Sequence, residues 1–139
     1  MLNKVYGYAR VSTKEQHLDR QIIALKKYGV DERDIVTDKE SGKDLDRKGY
    51  ALLKEQLLRP GDTLVIQDLD RLSRDKTHIN QELQYFQSQK IRVKILNIPT
   101  TLIDPPKGQE WVIEMTNNII IEVYASIAEN ERKRIRERQ

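Results

Sequence analysis

Four short apolar runs, at residues 5–11, 35–36, 63–67 and 92–96, alternate with segments whose apolar residues recur every three or four positions. That alternation constrains the fold most, because strands separated by helices pair in parallel through right-handed crossovers. The run Thr63-Leu64-Val65-Ile66-Gln67 is almost continuously apolar, as a strand covered on both faces must be. Leu18, Ile22 and Leu25 mark a first helix over about residues 14–28, which Gly29 should close as a left-handed C-cap. Tyr50, Leu53, Leu57 and Leu58 mark a second, stopped by Pro60-Gly61, and a third follows residues 68–74 and runs to about Gln89. The expected fold is α/β: a central, mostly parallel sheet of about four strands flanked by helices.

Residues 109–139 contain neither Gly nor Pro. Val112, Ile119, Ile120, Val123, Tyr124, Ile127 and Ile135 fit one amphipathic helix, about 45 Å long at 1.5 Å per residue. A helix that long projects from so small a domain, and its apolar stripe needs a partner, most simply a second copy meeting it through Val112, Ile120, Tyr124 and Ile127. The chain therefore divides into residues 1–108 and residues 109–139.

Composition narrows the function. A chain of 139 residues is one domain with room for a core. Cysteine is absent, which excludes disulfides, thiolate chemistry and Cys-based zinc sites. No apolar run approaches a bilayer span, and Met1-Leu2-Asn3-Lys4 does not open a signal peptide. The net charge of +3 leans towards an anionic partner, and the basic run at residues 132–138 is arranged as an arm along phosphates would be; a solvated helix end has the same composition. His17 and His78 stand alone, without a metal-ligand motif. Neither a Gly-x-Ser-x-Gly elbow nor a Gly-rich phosphate loop ending in Lys-Ser/Thr occurs.

In parallel sheets ligands bind beyond the carboxyl ends of the strands. Tyr8, Arg10 and Ser12 alternate at the end of the first strand, so their side chains should share a side. The polar loop at residues 39–48, with Asp38 before it and Ser41 and Arg47 within it, opens on the same edge. So do Asp70, Arg71 and Arg74 after the third strand, the two arginines lying three apart on the first turn of a helix. A serine among arginines is a nucleophile beside phosphate clamps. Each piece also has a structural reading. Ser12 and Thr13 with Glu15 and Gln16 form overlapping capping boxes, and Arg71 and Arg74 have Asp68, Asp70 and Asp75 as ion-pair partners.

Tyr8-Ala9-Arg10-Val11-Ser12-Thr13, Gln21, Asp38-Lys39-Glu40-Ser41-Gly42, Asp46-Arg47-Lys48-Gly49, Leu69-Asp70-Arg71-Leu72-Ser73-Arg74-Asp75 and Ala128-Glu129-Asn130-Glu131-Arg132 resemble, in order, the blocks of the serine recombinases of the resolvase/invertase family. The resemblance covers nearly the whole chain. It implies a catalytic domain at residues 1–108 and an oligomerising, DNA-contacting helix at residues 109–139. It also implies that Ser12 attacks a DNA phosphodiester, forms a 5′-phosphoserine link and releases a 3′-hydroxyl, without metal, ATP or other cofactor. Arg10, Arg71 and Arg74 match the family's phosphate-clamping arginines, Arg47 its loop arginine, and Gln21, Asp70 and Tyr8 supporting positions of its active site. Arg132, Arg134, Arg136 and Arg138 match the part that reaches the DNA minor groove. The implied partners are double-stranded DNA and further copies of the chain, a homodimer and a tetramer at synapsis. The implied setting is a prokaryotic cytoplasm, without membrane association.

Two features depart from the family pattern. Family members continue into a DNA-binding portion, which is not within these 139 residues, and the loop at residues 98–109 is longer than in the small resolvases. None of the matched residues is an obvious base for Ser12. Two other classes compete: a non-catalytic nucleic-acid-binding module, which would not need a hydroxyl at residue 12, and a metal-dependent phosphotransfer domain using Asp38, Asp68 and Asp70.

Overall fold

The computed structural model describes residues 3–11, 15–39, 47–73 and 75–138, with the side chains of residues 15–17 left aside. Ser12 and Arg74 lie outside the described residues, as do Ser41 and the capping-box reading of residues 12–16. In chain order the elements are β1 (Val5–Val11), α1 (Glu15–Tyr28), β2 (Ile35–Lys39), α2 (Lys48–Leu52), β3 (Thr63–Ile66), α3 (Lys76–Ser88), β4 (Arg92–Ile95) and α4 (Glu110–Arg138). The four strands form one parallel sheet in the order β2-β1-β3-β4.

This order sets the geometry of the site. From β1 the chain moves one way to β2, then crosses back over β1 to β3 and on to β4. Right-handed crossovers in opposite directions put α1 on one face of the sheet and α2 and α3 on the other. The packing shows that division. Ala9 and Val65 bury against Leu25 and Val30, while Tyr6, Tyr8, Leu64 and Ile66 bury against Tyr50, Leu53, Ile79 and Phe86. Strand pleating thus sends Tyr8 and Ala9 to opposite cores. The carboxyl end of β1, where the two crossovers diverge, is the switch point at which parallel sheets open a crevice.

Gly29 ends α1 as expected. Its φ is +116°, its N–H bonds to Lys26 O at 3.0 Å, and Val30 N bonds to Leu25 O at 3.0 Å, the paired bonds of a Schellman motif. α2 continues into a π-wound turn at Leu53–Leu57 before Pro60-Gly61.

The third helix follows residues 68–74 and ends near Gln89 as expected, but the turn that carries Arg71 is separate from it. Leu69–Arg71 forms a separate 3₁₀ turn, and α3 starts only at Lys76, capped by Asp75, whose carboxylate accepts from Thr77 N at 3.0 Å. Arg71 is therefore not on the first turn of α3. Asp75 in extended conformation is the better helix start, since its side chain satisfies a backbone donor that would otherwise be orphaned.

α4 spans 29 residues, about 44 Å. Ile121 and Ala125 enter the main core, with Ile120 packed against it, and Lys76 and Asn80 of α3 reach Glu122. Trp111, Met115, Ile119, Val123 and Ile127, spaced four apart, remain 50–64% exposed. No described helix is long and apolar enough to cross a membrane.

Candidate active site

The site begins with an unfinished edge. β1 pairs with β3 only as far as Tyr8 opposite Ile66, so Arg10 extends past its neighbour on that side. Gln21 of α1 completes the ladder with a side-chain amide: Arg10 N donates to Gln21 Oε1 at 3.0 Å, and Gln21 Nε2 donates to Arg10 O at 2.9 Å. A primary amide presents a donor and an acceptor side by side, as a neighbouring strand would. Gln21 is 3% exposed, so these bonds are made away from water and fix the backbone that leads into residue 12.

Arginines join the ends of β1 and β3 to the start of α2. Arg10, only 6% exposed, donates through Nη2 to Asp70 O at 2.5 Å. Arg71 reaches back: its Nη1 donates to Arg10 O and its Nε to Asp68 Oδ1 at 3.1 Å. Arg47, just before α2, donates to Leu72 O at 2.7 Å and to Arg71 O at 3.1 Å. Arg10, Arg47 and Arg71 therefore converge on the turn after β3: Arg71 holds the Arg10 carbonyl, Arg47 the Arg71 carbonyl, and Arg10 that of Asp70. Five N–H donors on each guanidinium let Arg71 grip a carbonyl and a carboxylate and still address an anion. Of the two sequence readings of Arg71, ion pair and anion clamp, the Asp68 contact realises the first and leaves the second open.

Asp38, at the end of β2, organises the opposite wall. It is 8% exposed; its Oδ2 accepts from Tyr8 Oη at 2.6 Å and from Tyr50 N at 2.9 Å, and its Oδ1 from Gly49 N at 2.8 Å. The carboxylate thus caps the amino end of α2 from another element, where the helix dipole favours negative charge. Arg47 at the N-cap position makes no capping bond of its own. Gly49 is required by close approach: a Cβ there would lie 2.9 Å from both Thr37 O and Asp38 Oδ1.

Burial, and then the hydrogen bond to Asp38, push the Tyr8 phenol well above its ordinary value near 10; burial and then Glu82 do the same to Tyr50. Above pH 10 the unfolded chain loses protons that these folded phenols keep, so stability must fall as pH rises. Each tyrosine contributes up to about 1.4 kcal/mol per pH unit to that fall. Thermal midpoints measured from pH 9 upward should drop steeply beyond pH 10, and Tyr50→Phe should make the drop shallower.

Of the positions predicted from sequence, Tyr8, Arg10, Gln21, Arg47, Asp70 and Arg71 come together. Arg132 joins them: its Nη1 lies 3.6 Å from Asp70 Oδ1. Arg134, Arg136 and Arg138 are exposed along the end of α4. Tyr50, Glu82 and the capping role of Asp38 were not foreseen. Glu82 carries a readable signal, an acid at a core-facing position between Ile79 and Phe86. Among the described residues no group of three or more His, Asp or Glu side chains is placed to hold a metal ion. Asp38, Asp68 and Asp70 each face donors of the protein itself.

The family model described as Resolvase, N terminal domain matches residues 5–139. The Transposon Tn3 resolvase of Escherichia coli is 37% identical over 135 residues, which cover 97% of this chain and 67% of that protein. The chain thus spans about two thirds of that relative's length. The N-terminal catalytic domain of TP901-1 integrase is similar in structure, with a TM-score of 0.55 at 26% identity over 94% of this chain and 98% of that one. A serine recombinase from Sulfolobus solfataricus gives 0.57 at 22% identity over 98% of both chains, a likeness of fold.

Proposed function

Because the chain belongs to the resolvase family of serine site-specific recombinases and forms a catalytic domain of that family, we propose that it cuts and rejoins DNA through Ser12. The observation that carries this reading is the knot of Arg10, Arg47 and Arg71 at the switch point, on the edge where β1 delivers the chain to residue 12. Ser12 Oγ attacks the phosphorus of a DNA phosphodiester. The bond from phosphorus to the 3′-oxygen breaks, the 3′-oxygen takes up a proton, and the 5′-phosphate stays esterified to serine. The reverse attack by a 3′-hydroxyl restores the phosphodiester. Bonds broken and made are alike, so neither ATP nor a redox partner is needed.

The arginines supply fixed positive charge around the phosphate as its equatorial oxygens gain negative charge, the role a metal fills elsewhere. Arg74 is assigned to the same clamp, and Gln21, Asp70 and Tyr8 hold its frame. Arg134, Arg136 and Arg138 would follow the DNA backbone, with Arg132 linking that arm to Asp70.

The test joins the full chain to a DNA-binding module of known site and supplies DNA carrying those sites around a recombination core, with chelator and no added metal. A protein–DNA adduct that survives denaturation, with the phosphate mapped to Ser12 by mass spectrometry, is the expected result. Cleavage that leaves no adduct and needs a divalent cation would overturn the reading.

Self-association belongs to the same proposal. The exposed row Trp111, Met115, Ile119, Val123 and Ile127 is the surface for a second copy. Of the four residues expected from sequence, Tyr124 and Ile127 are on exposed surface, Val112 is half-buried and Ile120 packs inward. Sedimentation should show a concentration-dependent dimer, and Ile119→Lys with Ile127→Lys should convert it to monomer. A strict monomer for the unaltered chain at all concentrations would remove the dimer from the proposal.

A further inference from the structure

Tyr50 and Glu82 have no part in the chemistry proposed above, yet they are among the most tightly held side chains near it. Tyr50 is fixed at each of its polar atoms and on its ring. Its N–H bonds to Asp38, its ring meets Tyr8 at 5.3 Å and Phe86 edge-on at 6.3 Å, and its hydroxyl donates to Glu82 Oε1. Glu82, 6% exposed on α3, is held in turn by Lys54, whose Nζ lies 2.9 Å from Oε2 and 3.1 Å from Oε1, with His78 Nε2 at 3.9 Å. Burying a carboxylate is costly unless it is paired, and an apolar residue between Ile79 and Phe86 would pack without that cost. Burial works to raise the Glu82 pKa, but the bonds from Tyr50 and Lys54 outweigh it and hold the carboxyl below its ordinary range.

The ring so fixed carries Arg47. The guanidinium carbon lies 4.0 Å from the Tyr50 ring centroid and 5.7 Å from that of Tyr8. Arg47 Nε is buried and has no hydrogen-bond partner among the described residues. The guanidinium is held between the ring beneath it and the carbonyls of Arg71 and Leu72 at its end. A cation over an aromatic face is attracted by the ring's quadrupole, and a flat guanidinium stacks there as an ammonium does not.

We propose that Tyr50 is a positioning residue for Arg47, and that Glu82 and Lys54, reaching in from α3 and the turn after α2, lock the ring on which that arginine is oriented. The inference rests on the phosphate-binding reading of Arg47.

The experiment is a double-mutant cycle, read as the single-turnover rate of adduct formation at saturating DNA, with thermal melts to establish that each variant is folded. Tyr50→Leu should lower the rate about tenfold, and Tyr50→Phe, which keeps the ring and loses the Glu82 bond, by a smaller factor. In the background of Arg47→Lys, which keeps the charge and loses the flat face, both substitutions should change the rate by less than about twofold. Equal losses in both backgrounds, or no loss with Tyr50→Leu, would overturn the proposal and leave the role of Arg47 standing. Full activity of Arg47→Lys would remove that role and this inference together. Should Tyr50→Leu fail to fold, the cycle with Tyr50→Phe decides alone.

Discussion

Ser12→Ala is expected to abolish the covalent protein–DNA adduct, lowering strand cleavage by more than about 10⁴-fold, the scale on which loss of a nucleophile is felt. The argument is chemical. The arginine cluster can bind and polarise a phosphate, but arginine cannot be the attacking group, because its guanidinium stays protonated in proteins. Removing the hydroxyl removes the only covalent route in the proposal while leaving the charge that binds DNA. Ser12→Ala should therefore retain DNA affinity and its salt dependence, measured by gel shift, while the adduct disappears. That pairing separates the proposal from a nucleic-acid-binding module, which would be indifferent to the substitution in both assays. An adduct that persisted with alanine at residue 12 would place the nucleophile elsewhere.

Asp38→Ala should be the most destabilising single change near the site. It strands three donors, Tyr8 Oη, Gly49 N and Tyr50 N, in a region where Tyr8 is fully buried and Tyr50 nearly so. An unsatisfied buried donor costs about 1–3 kcal/mol, and a small cavity is added where the carboxylate was. Taken at the low end for each donor, Gly49 N being only part-buried, the loss is about 3–4 kcal/mol, or about 10 °C in the thermal midpoint for a domain of this size. Denaturant unfolding would measure it. Asp38→Asn keeps one acceptor oxygen and should lose about half as much. Cleavage should fall further than stability, because α2 begins immediately after Arg47 and its amino end is what Asp38 fixes. A variant with unchanged stability would mean that water replaces the carboxylate without cost.

Much of this molecule was legible in the chain because it depends on local pattern. The alternation of apolar runs with helical spacing dictated a parallel sheet, and the sheet dictated that Arg10, Asp38, Arg47 and Arg71 share an edge. Gly29 as a C-cap followed from residue type alone. The turn carrying Arg71 was expected to open α3 because Asp68, Asp70, Ser73 and Asp75 all offer capping oxygens within eight residues. Local propensity does not choose among them. Arg71 is drawn instead into a 3₁₀ turn, where its side chain reaches Arg10 O.

α4 shows the same boundary. Its sequence determined that it is helical, long and apolar along part of its surface, but the positions named from spacing mixed two faces. Contact with α3 and the core selected Ile121 and Ala125 for burial and left Ile119, Val123 and Ile127 outside. Periodicity fixes which residues share a face, whereas the packing partner fixes which face is covered. The bonds that build the site have no periodicity at all. Arg10 to Asp70, Arg71 to Arg10, Tyr8 to Asp38 and Tyr50 to Glu82 join residues 30 to 61 apart; the first three exist because the sheet order brings the ends of β1, β2 and β3 together, and the last because α2 and α3 pack on the same face of that sheet. The sequence by itself determined the chemical types present at this edge. Tertiary structure alone decided which donor met which acceptor, since a buried polar group takes whatever partner the packed chain places within about 3 Å.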